Sequence, residues 1–168
     1  MGRFVIRLEQ IIELTGQLTS WLVLVMVLIT FLVVLLRYLL DTGWVALQES
    51  ISYLHSIVFL LGASYTLKHD GHVRVDIFYD RLSSKAKAWL NLLGHAFILM
   101  PVMVFIFWIS WPYVADSWHV KESSREAGGM PGVYILKSFI LLMAVLLMLQ
   151  GLALILKSVM KITQSTDA

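Results

Sequence analysis

The chain contains no cysteine, which excludes disulfides, zinc thiolates, iron–sulfur clusters and thiol nucleophiles. It is also poor in charge: Asp, Glu, Lys and Arg make up 14% of its 168 residues, against about 25% in an ordinary soluble domain. The formal net charge of +2 is too small to imply a nucleic-acid partner, and no basic stripe is interleaved with aromatics. No HExxH occurs, and no Ser/His/Asp set is assembled by spacing. "GGMPGVYILKS" (Gly128–Ser138) fails as a phosphate loop, because Leu136 stands where a glycine must precede Lys-Ser. An enzyme reading has no residues to stand on.

What is present is apolar surface. Hydrophobic residues make up 59% of the chain, more than so small a globule can hide. The solvent must be partly lipid. Four uncharged segments stand out: Leu14–Leu36, Ser50–Leu67, Ala88–Ala115 and Ser138–Leu156. At about 1.5 Å per residue they reach roughly 27 to 42 Å, against a hydrocarbon core of about 30 Å. Lipid offers backbone groups no partners, so these must be helices. The first run reads as a span rather than a removable signal, being too long and ending at Arg37-Tyr38. Pro101 lies mid-way along the third and predicts a kink there.

The expected fold is an all-α integral membrane protein, one domain over residues 1–168. Its spans cover about 14–38, 48–68, 86–115 and 131–157, with an elbow at 68–87 and an outer loop at 116–130. Lys and Arg fall nine to four in favour of the side holding both termini and the elbow. That predicts an N-in/C-in topology, both termini cytoplasmic. Trp44, Trp108, Trp111, Tyr113 and Trp118 fall near the outer boundary, where amphipathic rings prefer to sit. "RFVIRLEQIIEL" places Phe4, Leu8, Ile11 and Ile12 near one helical face. That predicts an amphipathic interfacial helix over about 3–13.

The elbow "KHDGHVRVDIFYDR" crowds histidines, aspartates and basic residues together. His69 and His72 have no second ligand pair, so the reading is a turn at Gly71 followed by an anchor to the membrane surface. Arg74, Asp76, Arg81, Lys85 and Lys87 form that anchor, the cations suiting an anionic leaflet. Ser83 or Ser84 should cap the third helix. Within the spans, His55 and His95 raise the question of haem. Their depths differ by roughly 9 Å, which disfavours two axial ligands on one haem. On the second span, Glu49, Ser52, His55 and Ser56 fall on one stripe, with Gly62, Ala63 and Ser64 beyond. Polar and small residues in a membrane helix face protein, so the stripe reads as a packing seam. None of the four segments contains Asp, Glu, Lys or Arg, which argues against a coupled pump acting alone.

Two stretches carry a resemblance. "RYLLDTGWVALQESISYLHSIVFLLGASYTLKHDGHVRVDIFYDRLS" and "GGMPGVYILKSFILLMAVLLMLQGLAL" are similar to the small membrane subunit (Q, DctQ-like) of tripartite ATP-independent periplasmic transporters. The second also resembles the branch associated with mannitol or chloroaromatic compounds. It departs from that branch at Leu141, where a proline is common.

The resemblance implies a scaffold role in a secondary transporter. A large membrane subunit (M) carries substrate and sodium sites, so none is expected on this chain. A periplasmic binding protein (P) captures the solute, typically an organic acid. The Glu49, Ser52, His55, Ser56 and Gly62 seam is then expected to meet the large subunit. Trp118, Glu122 and Arg125 are expected to meet the binding protein. No cofactor, metal or catalytic residue is implied, and lipid contacts are. A haem-bearing anchor of a respiratory enzyme and a small autonomous channel or exporter remain open.

Overall fold

The computed structural model describes residues 2–72 and 79–164. Among these, five helices follow in order: α1 Gly2–Leu39, α2 Val45–Lys68, α3 Ser84–Gly94, α4 Met100–His119 and α5 Val133–Gln164. A π-helical turn at His95–Leu99 joins α3 to α4, so Ser84–His119 behaves as one rod. Four rods are thus long and apolar enough to cross a membrane, as the apolar windows require.

The rods overrun those windows. α1 has 38 residues and α5 has 32, lengths of roughly 57 and 48 Å. Charge ends the lipid-compatible stretch, but peptide hydrogen bonding continues to the next cap. The segment expected to be a separate interfacial helix at 3–13 is therefore continuous with the first span. Its inward face differs too: Val5, Leu8 and Ile12 are buried, while Phe4 and Ile11 are exposed. Val5 and Leu8 close on Ala153 of α5, with Leu149, Leu152, Leu156 and Met160 packed around them. The amphipathic stripe serves a neighbouring helix. The last helix begins at Val133 rather than Pro131; Gly132 accepts the Ile135 and Leu136 N–H groups at 3.0 and 3.1 Å.

Local chemistry sets the ends. The Ser83 hydroxyl accepts the Ala86 N–H at 3.3 Å and opens α3. At the end of α2 the left-handed residue is Asp70 (φ 55°), not Gly71. The Gly71 N–H reaches the Thr66 carbonyl at 2.9 Å and the Asp70 N–H reaches Leu67 at 3.3 Å, a Schellman closure. α4 ends the same way. Lys121 (φ 49°) takes the left-handed place, and the Glu122 N–H reaches the Ser117 carbonyl at 3.0 Å. Ahead of Pro101, the Met100 N–H bonds to His95, five residues back. The distortion expected from Pro101 is taken up as this widened turn.

α5 is the hub and touches every other helix. It buries Ala144, Leu146, Leu147, Gly151 and Ala153. α1 leans chiefly on α2, and beyond Thr19 no residue of α1 is buried. Two glycines permit close approach. A Cβ on Gly16 would stand 2.0 Å from the Tyr65 ring, and one on Gly151 would stand 2.9 Å from Leu99 Cδ2.

Candidate functional site

The end of the bundle holding the start of α1 and the end of α5 is called the base, and the opposite end the crown. At the base, charged side chains pair across helices. Lys157 of α5 pairs with Glu9 of α1. Lys68 at the end of α2 binds the Glu13 carboxylate and also donates to the Glu9 carbonyl at 3.0 Å. His69 Nε2 lies 3.0 Å from the same Glu13 carboxylate, and its ring packs at a tilt against Tyr65. Of the expected membrane anchor, Arg81 and Lys85 are exposed. Lys87 sits 3.7 Å from Asp80 and over the Tyr79 ring. Arg74 and Asp76 lie outside the described residues. Among the described residues, no three His, Asp or Glu side chains are grouped to hold a metal ion.

At the crown, the loop after α4 is tied down at several points. Glu49 accepts the Ser124 hydroxyl at 2.5 Å and the Met130 N–H at 2.7 Å. The Ala46 N–H, left over at the start of α2, is taken by the Gly128 carbonyl at 3.1 Å. A Cβ on Gly129 would lie 2.5 Å from Ser124 Cβ and 2.8 Å from the Glu49 carboxylate, so glycine lets the loop pass close here. Glu122 pairs with Lys137 and accepts the Ser117 hydroxyl at 2.6 Å. Lys137 first, then Ser117, hold the Glu122 carboxyl below its ordinary pKa, so it stays charged at neutral pH. Trp118 donates to Ser138 at 2.8 Å and meets Tyr134 edge-on at 4.7 Å, with Lys121 over both rings.

Between the helices lies a groove of about 700 Å³, lined by Met26, Val27, Thr30 and Phe31 of α1 and Ile51, Ser52, His55 and Ser56 of α2. Three of the expected seam residues, Ser52, His55 and Ser56, thus fall together. Glu49 does not line this groove; its carboxylate turns to the crown loop, where it shares a second cavity with Ser52 and Ser56. Gly62 has no heavy atom within 4 Å of where a Cβ would stand, so it makes no tight contact inside this chain. The continuing small residue that is fully buried is Ser64.

Of the expected binding-protein contacts, Glu122 and Trp118 are held by the chain's own side chains, and Arg125 is exposed. His55 lines the α1–α2 groove, whereas His95 faces the cavities beside α5 with Nδ1 2.5 Å from the Asn91 carbonyl. The two are not brought to one site. Sequence reasoning missed Gly16, Gly151 and Gln150. Gly16 lies among Thr15, Thr19 and Ser20, a run of small residues that was available as a signal.

Among the described residues, four helices long and apolar enough to cross a membrane, with ion pairs at both ends of the bundle, fit a multi-pass membrane protein. The family model for the DctQ component of tripartite ATP-independent periplasmic transporters matches residues 26–160, and the chain belongs to that family. It is thus a small membrane component of such a transporter. A search of curated proteins finds no match.

Proposed function

We propose that the chain holds the large membrane subunit (M) in place through the α1–α2 groove, in the inner membrane of a bacterium. The observation carrying this reading is the groove's composition. Trp21, Leu24, Val27, Leu28 and Phe31 are exposed beside a wall bearing Thr30, Ser52 and His55. Apolar side chains alone would suit lipid. Thr30 and Ser56 donate to the Met26 and Ser52 carbonyls of their own helices, so it is chiefly the exposed His55 imidazole that gains nothing from lipid and does gain from a packed helix. The test is co-purification. Ser56→Leu should overpack the contact, a cost of about 1–3 kcal/mol. A cost of about 1.4 kcal/mol lowers an association constant roughly tenfold. The variant should release the large subunit in mild detergent while its own melting temperature holds. Retention equal to wild type would assign the groove to lipid.

The transport reading extends the family's architecture. It is ion-coupled import, sodium being the expected ion and bound by the large subunit. The solute is an organic acid or related compound delivered by a periplasmic binding protein (P). The uncharged cores of the four apolar segments carry no Asp, Glu, Lys or Arg, which fits ion and solute sites on the large subunit. Both termini and the Arg81, Lys85 and Lys87 anchor face the cytoplasm in this reading, and the first turns of α1 rest near that surface. The crown loop with Arg125 faces the binding protein, and its mixed charge suits a transient contact. Because the chain has no cysteine, single cysteines test both points. With an impermeant reagent on intact cells, Arg125→Cys should label and Ser84→Cys should not, and binding protein should shield Arg125→Cys. Labelling of Ser84→Cys alone would reverse the topology; unshielded labelling would remove the docking role.

A further inference from the structure

We propose a binding site for one anionic phospholipid at the base, between α3 and α5. A cavity of about 200 Å³ there is lined by three lysines, Lys87 from α3 and Lys157 and Lys161 from α5. The amide of Asn91 and the hydroxyl of Ser158 share its wall. That volume corresponds to about seven waters, room for a phosphodiester. Two carboxylates stand near: Glu9 pairs with Lys157, and Asp80 lies 3.7 Å from Lys87. Neither lines the cavity, and Lys161 is exposed. Ammonium groups offer three donors each, so Lys87 and Lys157 can hold a carboxylate and a phosphate together.

The socket does not end in solvent. It shares Asn91, His95 and Leu154 with a larger groove of about 530 Å³ that climbs the bundle past Leu90, Ile98 and Val102. Those three side chains are about half exposed or more, so this wall opens to the bilayer. Lys68, Asp70 and His72 close the groove's base. From Asn91 to Val102 the helix rises roughly 16 Å, about the depth of one leaflet. Gly94 keeps the passage clear, since nothing lies within 4 Å of where its Cβ would stand. A cationic socket continuous with an apolar groove one leaflet deep matches a headgroup with an acyl chain. A free phosphate would need the socket alone. Basic pockets between helices at a membrane surface take anionic headgroups for this reason.

The test uses the full chain purified in mild detergent, with native mass spectrometry against phosphatidylglycerol, phosphatidylcholine and inorganic phosphate. One phosphatidylglycerol per chain should be retained in preference to phosphatidylcholine. The double variant Lys87→Gln/Lys161→Gln should weaken phosphatidylglycerol about thirtyfold. Gly94→Leu should fill the groove and weaken both lipids without lowering the melting temperature. Wild-type protein showing no preference between the two lipids would overturn the proposal, whatever the variants do. So would a folded lysine variant that binds as wild type. Displacement of phosphatidylglycerol by millimolar phosphate, with Gly94→Leu binding normally, would make the socket a free-anion site and overturn the lipid assignment.

Discussion

Gly16→Leu is expected to separate α1 from α2 and to lower the melting temperature of the purified chain, whereas Gly62→Leu is expected to leave it unchanged. Both glycines lie in membrane-length helices, but only one is at a close approach. The added Cβ at Gly16 would stand 2.0 Å from Tyr65 Cδ2 and 2.4 Å from Cγ. These are ring atoms near the backbone of α2, so swinging the ring aside does not easily relieve the overlap. The ring also packs at a tilt against His69, with centroids 4.3 Å apart. Overpacking of this kind costs about 1–3 kcal/mol, and leucine, being larger than alanine, belongs at the upper end. The loss should spread to the base. Glycine at position 16 lets α1 lie close enough for Lys68 to reach both the Glu13 carboxylate and the Glu9 carbonyl. Thermal unfolding of both variants in mild detergent decides the matter. Equal losses, or an unaffected Gly16→Leu, would mean that α1 and α2 do not meet at this glycine.

Gln150→Leu is expected to act in the opposite direction and raise the melting temperature. Gln150 is fully buried on α5, and neither its Nε2 nor its Oε1 has a hydrogen-bond partner. An unsatisfied buried polar group costs about 1–3 kcal/mol, and leucine has a similar volume without that cost. Gln150→Ala separates the effects, because it removes the amide but leaves a cavity at the hub, and it should destabilise. A fall in melting temperature for Gln150→Leu comparable to that for Gln150→Ala would show that the amide holds a partner, such as an ordered water, and contributes to packing.

The four-span architecture was legible because it follows from a balance that every residue enters: apolar surface too large to bury, charge too scarce to solvate it. Helix limits were less legible. Charged residues such as Glu9, Glu13 and Lys157 mark where the apolar windows stop, but they do not break backbone hydrogen bonds. The helices therefore carry them and pair them across the base. In the sequence these residues served only as the ends of the apolar windows, because a sequence does not say that Glu9 and Lys157 come side by side. The polar stripe on α2 was legible as a stripe. Helical spacing put Glu49 with Ser52, His55 and Ser56; in the structure the last three line one groove, and Glu49 shares another cavity with Ser52 and Ser56. Glu49 was captured by Ser124 and Met130, which lie 75 and 81 residues further on. The turn after α2 was assigned to glycine by propensity, yet aspartate took the left-handed position, which its short polar side chain tolerates. Gln150 gives no sequence signal of its orphaned state, since that depends on which neighbours surround it.

The pairing of Glu9 with Lys157 joins positions 148 residues apart and sits beside the contact of Val5 and Leu8 with Ala153. During synthesis the opening turns of the first helix emerge long before their counterpart exists. Until α5 is threaded, Glu9 has no cation from that helix and the Val5–Leu8 face has no cover. The hairpin of α1 and α2 can form early through Lys68, but the bundle closes only when the final helix arrives. Biogenesis of this subunit therefore has a defined last step. A chain interrupted before α5 would present an uncovered apolar stripe ending in a bare carboxylate, a surface that membrane quality control could read as unfinished.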